Sequence, residues 1–301
     1  MSGLGALVRR NTKLYFKDKG MFFTSLITPL ILLVLYSTFL GNVYEDSFRS
    51  ALEAAGASVS DTLIWGCVGG QLVSSLLAVS CVTVAFCSNL LMVQDKATGS
   101  RQDLTIAPIK GSTLSLSYYL STLCSTLLIS LGATVVCLGY LYLVGWFLTA
   151  ADVAALLLDV LLLVMFGTAL SSCVIFPLST NGQASAVGTI IGAGYGFICG
   201  AYMPISSFGE GLQRVISFLP GSYGTSLLRN HALRGVFQEM ENQGFPSVVV
   251  DAIRDSVDCN LYFFDKKVGI SGMYLVMLAS ILVFIGLYIV MAILSGRKRR
   301  G

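Results

Sequence analysis

The sequence predicts an all-α integral membrane protein with six transmembrane helices, on three observations. Apolar residues make up 55% of the 301 and charged residues only 12%, a balance far from that of a soluble globular domain. Six apolar runs, at roughly 21–41, 63–93, 113–145, 153–176, 184–203 and 271–294, reach the ~20 residues that a helix needs to cross a bilayer. Basic residues alternate between the short loops, the pattern by which a multi-span chain sets its orientation.

Arg9, Arg10, Lys13, Lys17 and Lys19 precede the first run. Lys96, Arg101 and Lys110 separate the second from the third, and Arg297, Lys298, Arg299 and Arg300 follow the last. The other short loops carry only Arg49, against Glu45, Asp46, Glu53 and Asp61. Both termini are therefore expected in the cytoplasm of a cell (plasma) membrane protein. The segment 204–270 holds six more basic residues, but long loops translocate regardless of charge. The terminal Arg/Lys cluster, beside a span, reads as an anchor to anionic lipid and not as a nucleic-acid patch.

Residues 1–20 are charged and lack the apolar core of a cleaved signal, so they are expected to stay. At 100° per residue, Leu4, Leu7, Val8, Leu14 and Tyr15 share one arc of a helix. Arg9, Arg10, Lys13 and Lys17 lie opposite, while Asn11 and Asp18 interrupt the apolar arc. Such a helix lies in the membrane interface with its basic face toward anionic headgroups or a partner.

In the first run, Pro29 removes a backbone donor and is expected to kink the helix. The second and third runs are longer than a bilayer requires and should tilt or protrude. Between them lies a short polar loop, 94–110, with Gly99 at a turn and Pro108 at a stop. Gly66 and Gly70 in the second run, and Gly188, Gly192, Gly196 and Gly200 in the fifth, repeat every four residues. Rows of that spacing let helices approach closely, serving ordinary packing, a dimer seam or a pathway wall. Gln71 and Ser74, with Ser75, Asn89, Asn181 and Gln183, are candidates for a polar path. Asp159 is the one ionisable residue inside an apolar run, about 9 Å from its outer start. An intramembrane carboxylate is a functional candidate by default.

After the fifth run, Leu212, Val215, Ile216 and Leu219 keep helical spacing, Pro220-Gly221 breaks it, and a second piece runs through Tyr223 and Leu227 to Arg229 and Arg234. Both pieces are too short to cross, so they read as a re-entrant helical hairpin in the outer leaflet. A further amphipathic helix is expected at 247–258. Seven of the eight cysteines lie in or beside apolar runs as small hydrophobes. Cys259 alone lies outside, and no spacing commits it to a bridge with Cys199 or Cys67. No Cys/His cluster has zinc-ligand spacing.

Taken together, Asp95-x-x-x-Gly99-Ser100-x-x-x-Leu104-x-x-Ala107-Pro108-Ile109, the run from Gly200 through Pro204, Pro220, Tyr223 and Arg229, the amphipathic leader and the six spans resemble the type-2 ABC exporter permeases over nearly the whole chain. The resemblance implies a connecting helix at 1–20, carrying Arg9, Arg10, Lys13 and Lys17, ahead of a permease domain at 21–301. It implies that loop 94–110 forms a coupling helix, with Asp95, Gly99, Ser100, Arg101, Leu104 and Pro108 docking in a groove of a separate ABC ATPase. ATP and magnesium would sit on that ATPase, none on this chain, and a second permease would complete a homo- or heterodimer. Such permeases export amphipathic drugs, lipids or peptides and are not themselves enzymes. The chain indeed lacks a G-x-x-x-x-G-K-[ST] phosphate loop. Where the family often has a second acidic residue, two before the glycine, this chain has Ala97.

Three other readings compete. An ion-coupled secondary transporter would show intramembrane charges or two repeated halves, and a membrane sensor or scaffold would use the same spans without transport. An intramembrane serine protease would need Ser222 and His231 together. His231 is expected at a surface or interface on the outer hairpin.

Overall fold

The computed structural model describes residues 3–54, 60–106, 109–264 and 266–297. The chain opens with the amphipathic helix α1 (Gly3–Lys17), whose buried stripe is Leu7, Asn11 and Tyr15. Asn11 thus lies within the packed face that it was expected to interrupt. Its Oδ1 accepts a hydrogen bond from Arg10 at 2.8 Å, while its Nδ2 is buried without a partner among the described residues. Asp18 is the N-cap of α2 (Lys19–Leu35), accepting from the Met21 amide at 3.0 Å, and so divides the leader from the first span. A π-helical turn at Tyr36–Leu40 joins α2 to α3 (Gly41–Ala54).

The next helix, α4 (Asp61–Asn89), is the core of the molecule. It is flanked by α2, α7 (Gly111–Val144), α8 (Ala150–Ile175) and α11 (Pro220–Asn242), and 24 of its 29 residues are buried. A helix apolar on every side belongs inside a bundle, and α4 has almost no amphipathic bias for that reason. After a break at Leu90 it continues into α5 (Leu91–Ala97), followed by α6 (Ser100–Ile106). Reciprocal capping boxes begin α8 (Thr149 with Asp152) and α9 (Asn181–Ile198; Thr180 with Gln183).

The end of α9 explains one predicted glycine. Gly200 has φ of +74°, the Ala201 amide donates to Gly196 O at 2.8 Å, and the Gly200 amide donates to Phe197 O at 3.2 Å. This is a Schellman cap, which favours glycine in the left-handed position. A short 3₁₀ turn (Ile205–Ser207), α10 (Glu210–Ile216), α11, α12 (Ser247–Ser256), and a small antiparallel hairpin of β1 (Leu261–Phe263) and β2 (Lys266–Val268) then lead to α13 (Ile270–Arg297). All eight cysteines are free thiols, and Cys259 is buried.

Among the described residues, five helical segments are long and apolar enough to cross a membrane: Lys19–Ser50, Asp61–Ala97, Gly111–Val144, Ala150–Ile175 and Ile270–Ser295. The fifth predicted run forms α9, an 18-residue helix that stands outside that set. The second arm of the predicted hairpin is also longer than the sequence suggests. It runs unbroken for 23 residues, because its charged side chains find partners within the protein. Gly224 packs on Leu163, about 20 Å along α8 from its start, whereas Arg234 reaches Asp152 in the first turn of α8.

Close approaches hold the bundle together. Gly167 of α8 lies against the α4 backbone, where an added Cβ would stand 2.9 Å from Cys81 O. At Gly235 in α11 an added Cβ would overlap the carbonyl oxygen of Phe147, a backbone atom that cannot swing away. Gly235→Ala should therefore destabilise the detergent-solubilised protein by about 2 kcal/mol or more. Gly132→Ala, where an added Cβ meets nothing within 4 Å, should be neutral or slightly stabilising. Thermal unfolding of both variants checks the contrast, and equal midpoints would refute it.

Candidate coupling site and interior polar groups

The segment joining α5 to α6 is bolted down by two neighbouring charges. Asp95 is 5% exposed and receives a two-pronged ion pair from Arg10 of α1, Nη1–Oδ2 at 2.7 Å and Nη2–Oδ1 at 3.1 Å. The Tyr118 hydroxyl of α7 donates to the same carboxylate at 2.6 Å. Paired, hydrogen-bonded carboxylates tolerate burial where isolated ones do not. The hydrogen bond from Arg10 to Asp95 raises the guanidinium pKa above its already high ordinary value, so the cation persists. Next to Asp95, the Lys96 ammonium donates to the carbonyls of Phe176 and Leu178, the latter at 2.8 Å, and stands 5.3 Å from the Phe176 ring centroid. Phe176 is the C-cap of α8, where carbonyls without helical partners favour a cation.

Beyond these anchors the chain turns outward. Gly99 has φ of +81° and makes the corner between α5 and α6. The amides of Thr98 and Gly99 close the end of α5, and the Gln102 amide donates to Gly99 O at 2.7 Å. Ser100 Oγ lies 3.0 Å from Thr98 Oγ1 at this corner. Ala97, Thr98, Gln102 and Asp103 are exposed and form a polar tip, with Arg101 half-buried beside them. Leu104 packs beneath, against Leu7, Met92, Leu114, Tyr118 and Tyr288. Ala107 and Pro108 lie outside the described residues.

Two residues thus sit differently from the plain reading of the motif. Asp95 faces the protein interior, and Arg10 leaves the basic face of α1 to meet it. Arg9, Lys13 and Lys17 remain exposed on that face. No local pattern signals the pairing, since Arg10 and Tyr118 are 85 and 23 residues from Asp95.

The predicted glycine rows divide. Gly66 meets the Phe147 ring and Gly70 meets Leu233, both within this chain. Gln71 is fully buried with its amide unbonded among the described residues, and Ser74 donates to the Gln71 carbonyl at 3.0 Å. Gly196 receives the Tyr202 ring and Gly200 serves the cap of α9. An added Cβ at Gly188 would meet nothing within 4 Å, and one at Gly192 would meet only Thr28 Oγ1 at 3.4 Å. The open part of the row is its lower half.

Asp159 is buried and bonded twice, to His231 Nδ1 at 2.6 Å and to the Tyr274 hydroxyl at 2.8 Å, joining α8, α11 and α13. His231, expected at a surface or interface, is 8% exposed and packs inward as a partner of Asp159. Ser222 lies nine residues from it along α11, about 13 Å, and donates to Leu219 O. The structure does not bring the serine and histidine of a protease together. Arg229, 1% exposed, pairs with Asp258 at 3.0 Å and donates to Gly200 O and Ser75 Oγ. These ties went unseen in the sequence, where only the isolation of Asp159 hinted at a partner.

The Arg10–Asp95 pair has a direct test. Arg10→Ala and Asp95→Ala, combined in a double-mutant cycle on thermal stability, should show a coupling of about 1–3 kcal/mol. Additive losses would mean that the two groups do not stabilise one another.

A comparison with curated proteins gives no match. The family model for the ABC-2 type transporter matches residues 2–232, a stretch that takes in α1, the α5–α6 corner and the first part of α11. With well over half of its length inside that match, the chain belongs to the ABC-2 type transporter family and is a multi-pass ABC transporter permease.

Proposed function

We propose that this permease is the transmembrane subunit of an ATP-driven exporter that moves an amphipathic substrate, with hydrolysis of ATP and its magnesium confined to separate ATPase subunits. The observation that carries the reading is the anchored corner at Gly99. Its polar tip faces out, while Asp95 and Lys96 tie its base to α1, α7 and the end of α8. A rigid load on the tip would therefore be delivered to several helices at once, and directly to α4, of which α5 is the near-continuation. That is the mechanical property required of a lever seated in an ATPase groove.

In this reading α1 is the connecting helix, the α5–α6 segment is the coupling helix, and both termini are cytoplasmic. α9 is the sixth span, thinner in hydropathy because glycine replaces larger apolar residues along it. α10 and α11 form the re-entrant hairpin, a placement supported by the contact of Gly224 with Leu163 well inside α8. Segment 204–270 is external. A second permease, identical or different, pairs with this one, and the open glycines Gly188 and Gly192 on α9 are where its helix approaches.

The test is affinity purification of the chain from its host in mild detergent, with ATP hydrolysis assayed on the product. A stoichiometric ATPase subunit is expected, and recovery of the permease without any ATPase would overturn the reading. Gly99→Val sharpens it, because a β-branched residue at φ of +81° strains the corner by about 1–2 kcal/mol or more. The variant should retain assembly but lose transport-coupled hydrolysis. Coupled turnover equal to the unmodified complex would argue against the lever.

A further inference from the structure

Arg229 crosses from α11 to the face of α4 that carries Gln71 and Ser75. Its Nη2 donates to Ser75 Oγ at 3.3 Å, and Gln71, four residues earlier, shares that face. From the first span comes Tyr36, whose hydroxyl stands near Ser75 and the guanidinium. All four side chains are sealed in, with Gln71 and Ser75 at 0%, Arg229 at 1% and Tyr36 at 3% exposure.

The hydrogen bonds of this group do not close among the described residues. Gln71 leaves both Nε2 and Oε1 unbonded, Tyr36 its hydroxyl and Arg229 its Nε. The other two nitrogens of Arg229 are directed to Asp258, Gly200 O and Ser75. A buried polar atom without a partner is costly, and nearly all such atoms are bonded to protein or to ordered water. Four of them on three neighbouring side chains therefore mark a place.

The backbone marks the same place independently. The π-helical turn begins at Tyr36, and the Gly41 amide donates to Tyr36 O. An added Cβ at Gly41 would stand 2.6 Å from that oxygen, so the wide turn relies on a glycine. Turns of this kind inside α-helices collect at functional sites. The Tyr36 ring is held by stacking on Tyr44, with centroids 5.7 Å apart.

The unbonded atoms also say what completes them. They comprise the N–H donors of Gln71 and Arg229, the Gln71 Oε1 acceptor, and a hydroxyl that can serve as either. They call for no further charge, since Arg229 is already paired with Asp258 at 3.0 Å. A sealed site that asks for donation and acceptance at once suits water, which makes about three hydrogen bonds when buried.

We infer that Gln71, Ser75, Tyr36 and Arg229 enclose a bound-water site between the first span, α4 and α11. Water there accepts from Gln71 Nε2 and Arg229 Nε, donates to Gln71 Oε1 and bonds the Tyr36 hydroxyl. It lets the first span and α11 part and re-pair without stranding a buried polar group. The inference makes no use of ATP, of a substrate or of the coupling segment.

The test is X-ray radiolytic labelling of the full permease, with whatever partners co-purify, in lipid nanodiscs. Hydroxyl radicals formed from bound water oxidise the side chains beside it, and mass spectrometry locates the modified peptides. Tyr36 is expected to be oxidised despite its burial, while Phe166, 2% exposed and packed on Phe284, stays unmodified. Gln71→Leu, which removes most of the partners of the water, should abolish most of the Tyr36 label. Tyr36→Phe deletes a single oxygen and, by losing its bond to water, should lower the thermal midpoint by about 2–4 °C. An unbonded hydroxyl in a dry core would make the same variant more stable. Tyr36 left as unmodified as Phe166 would overturn the inference. So would Tyr36 label that Gln71→Leu leaves intact, or a midpoint in Tyr36→Phe that is unchanged or higher. Labelling of the unmodified protein decides the matter even where a variant fails to assemble.

Discussion

A membrane helix that touches almost no lipid is the constraint around which this permease is arranged. α4 is buried on every side by α2, α7, α8 and α11. In a membrane, apolar side chains gain little by exchanging lipid for protein, so such burial has to come from close packing. The chain achieves it with small residues at the contacts. Gly66 and Gly70 admit Phe147 and Leu233, and Gly167 lets the backbones of α8 and α4 meet. On α7, Ser117, Ser121 and Thr134 each donate to a carbonyl of their own helix and so can sit in the packed seam.

Charges are then used as bolts at the two ends of this core. At the end near α1, Asp95 and Lys96 hold the first turns beyond α4 to three other helices. At the other end, α11 is fastened through Arg229 to Asp258, His231 to Asp159 and Arg234 to Asp152. Removing Arg229 would leave the Asp258 carboxylate buried without its cation, which is why that contact defines positions sharply. A permease must move as a few rigid pieces, and paired charges at the ends of a tightly packed core make pieces of that kind.

Much of this was legible beforehand, and the boundary is instructive. Asp18 was read as an interruption of the leader's apolar arc and Gln183 as a candidate for a polar path, whereas the structure makes them the N-cap of α2 and part of the capping box of α9. The turn at Gly99 and the amphipathic leader were readable, as both are written within a few residues. Arg10 was assigned to the basic face because helical periodicity says nothing about a carboxylate 85 residues away. His231 was assigned to a surface or interface because an imidazole in a polar stretch shows no sign of a partner 72 residues earlier. The unbroken length of α11 was missed for a related reason: its polar residues look like a helix leaving the membrane until their partners are known.

Hydropathy and charge bias accumulate along a segment, so the sequence by itself determined the membrane class, the apolar runs, the leader and the corner at Gly99. Tertiary structure decided which polar groups are turned inward, and which glycines are filled by this chain and which stay open. Those outcomes depend on distances between residues far apart in the chain, which only the packing of α4 among its neighbours sets.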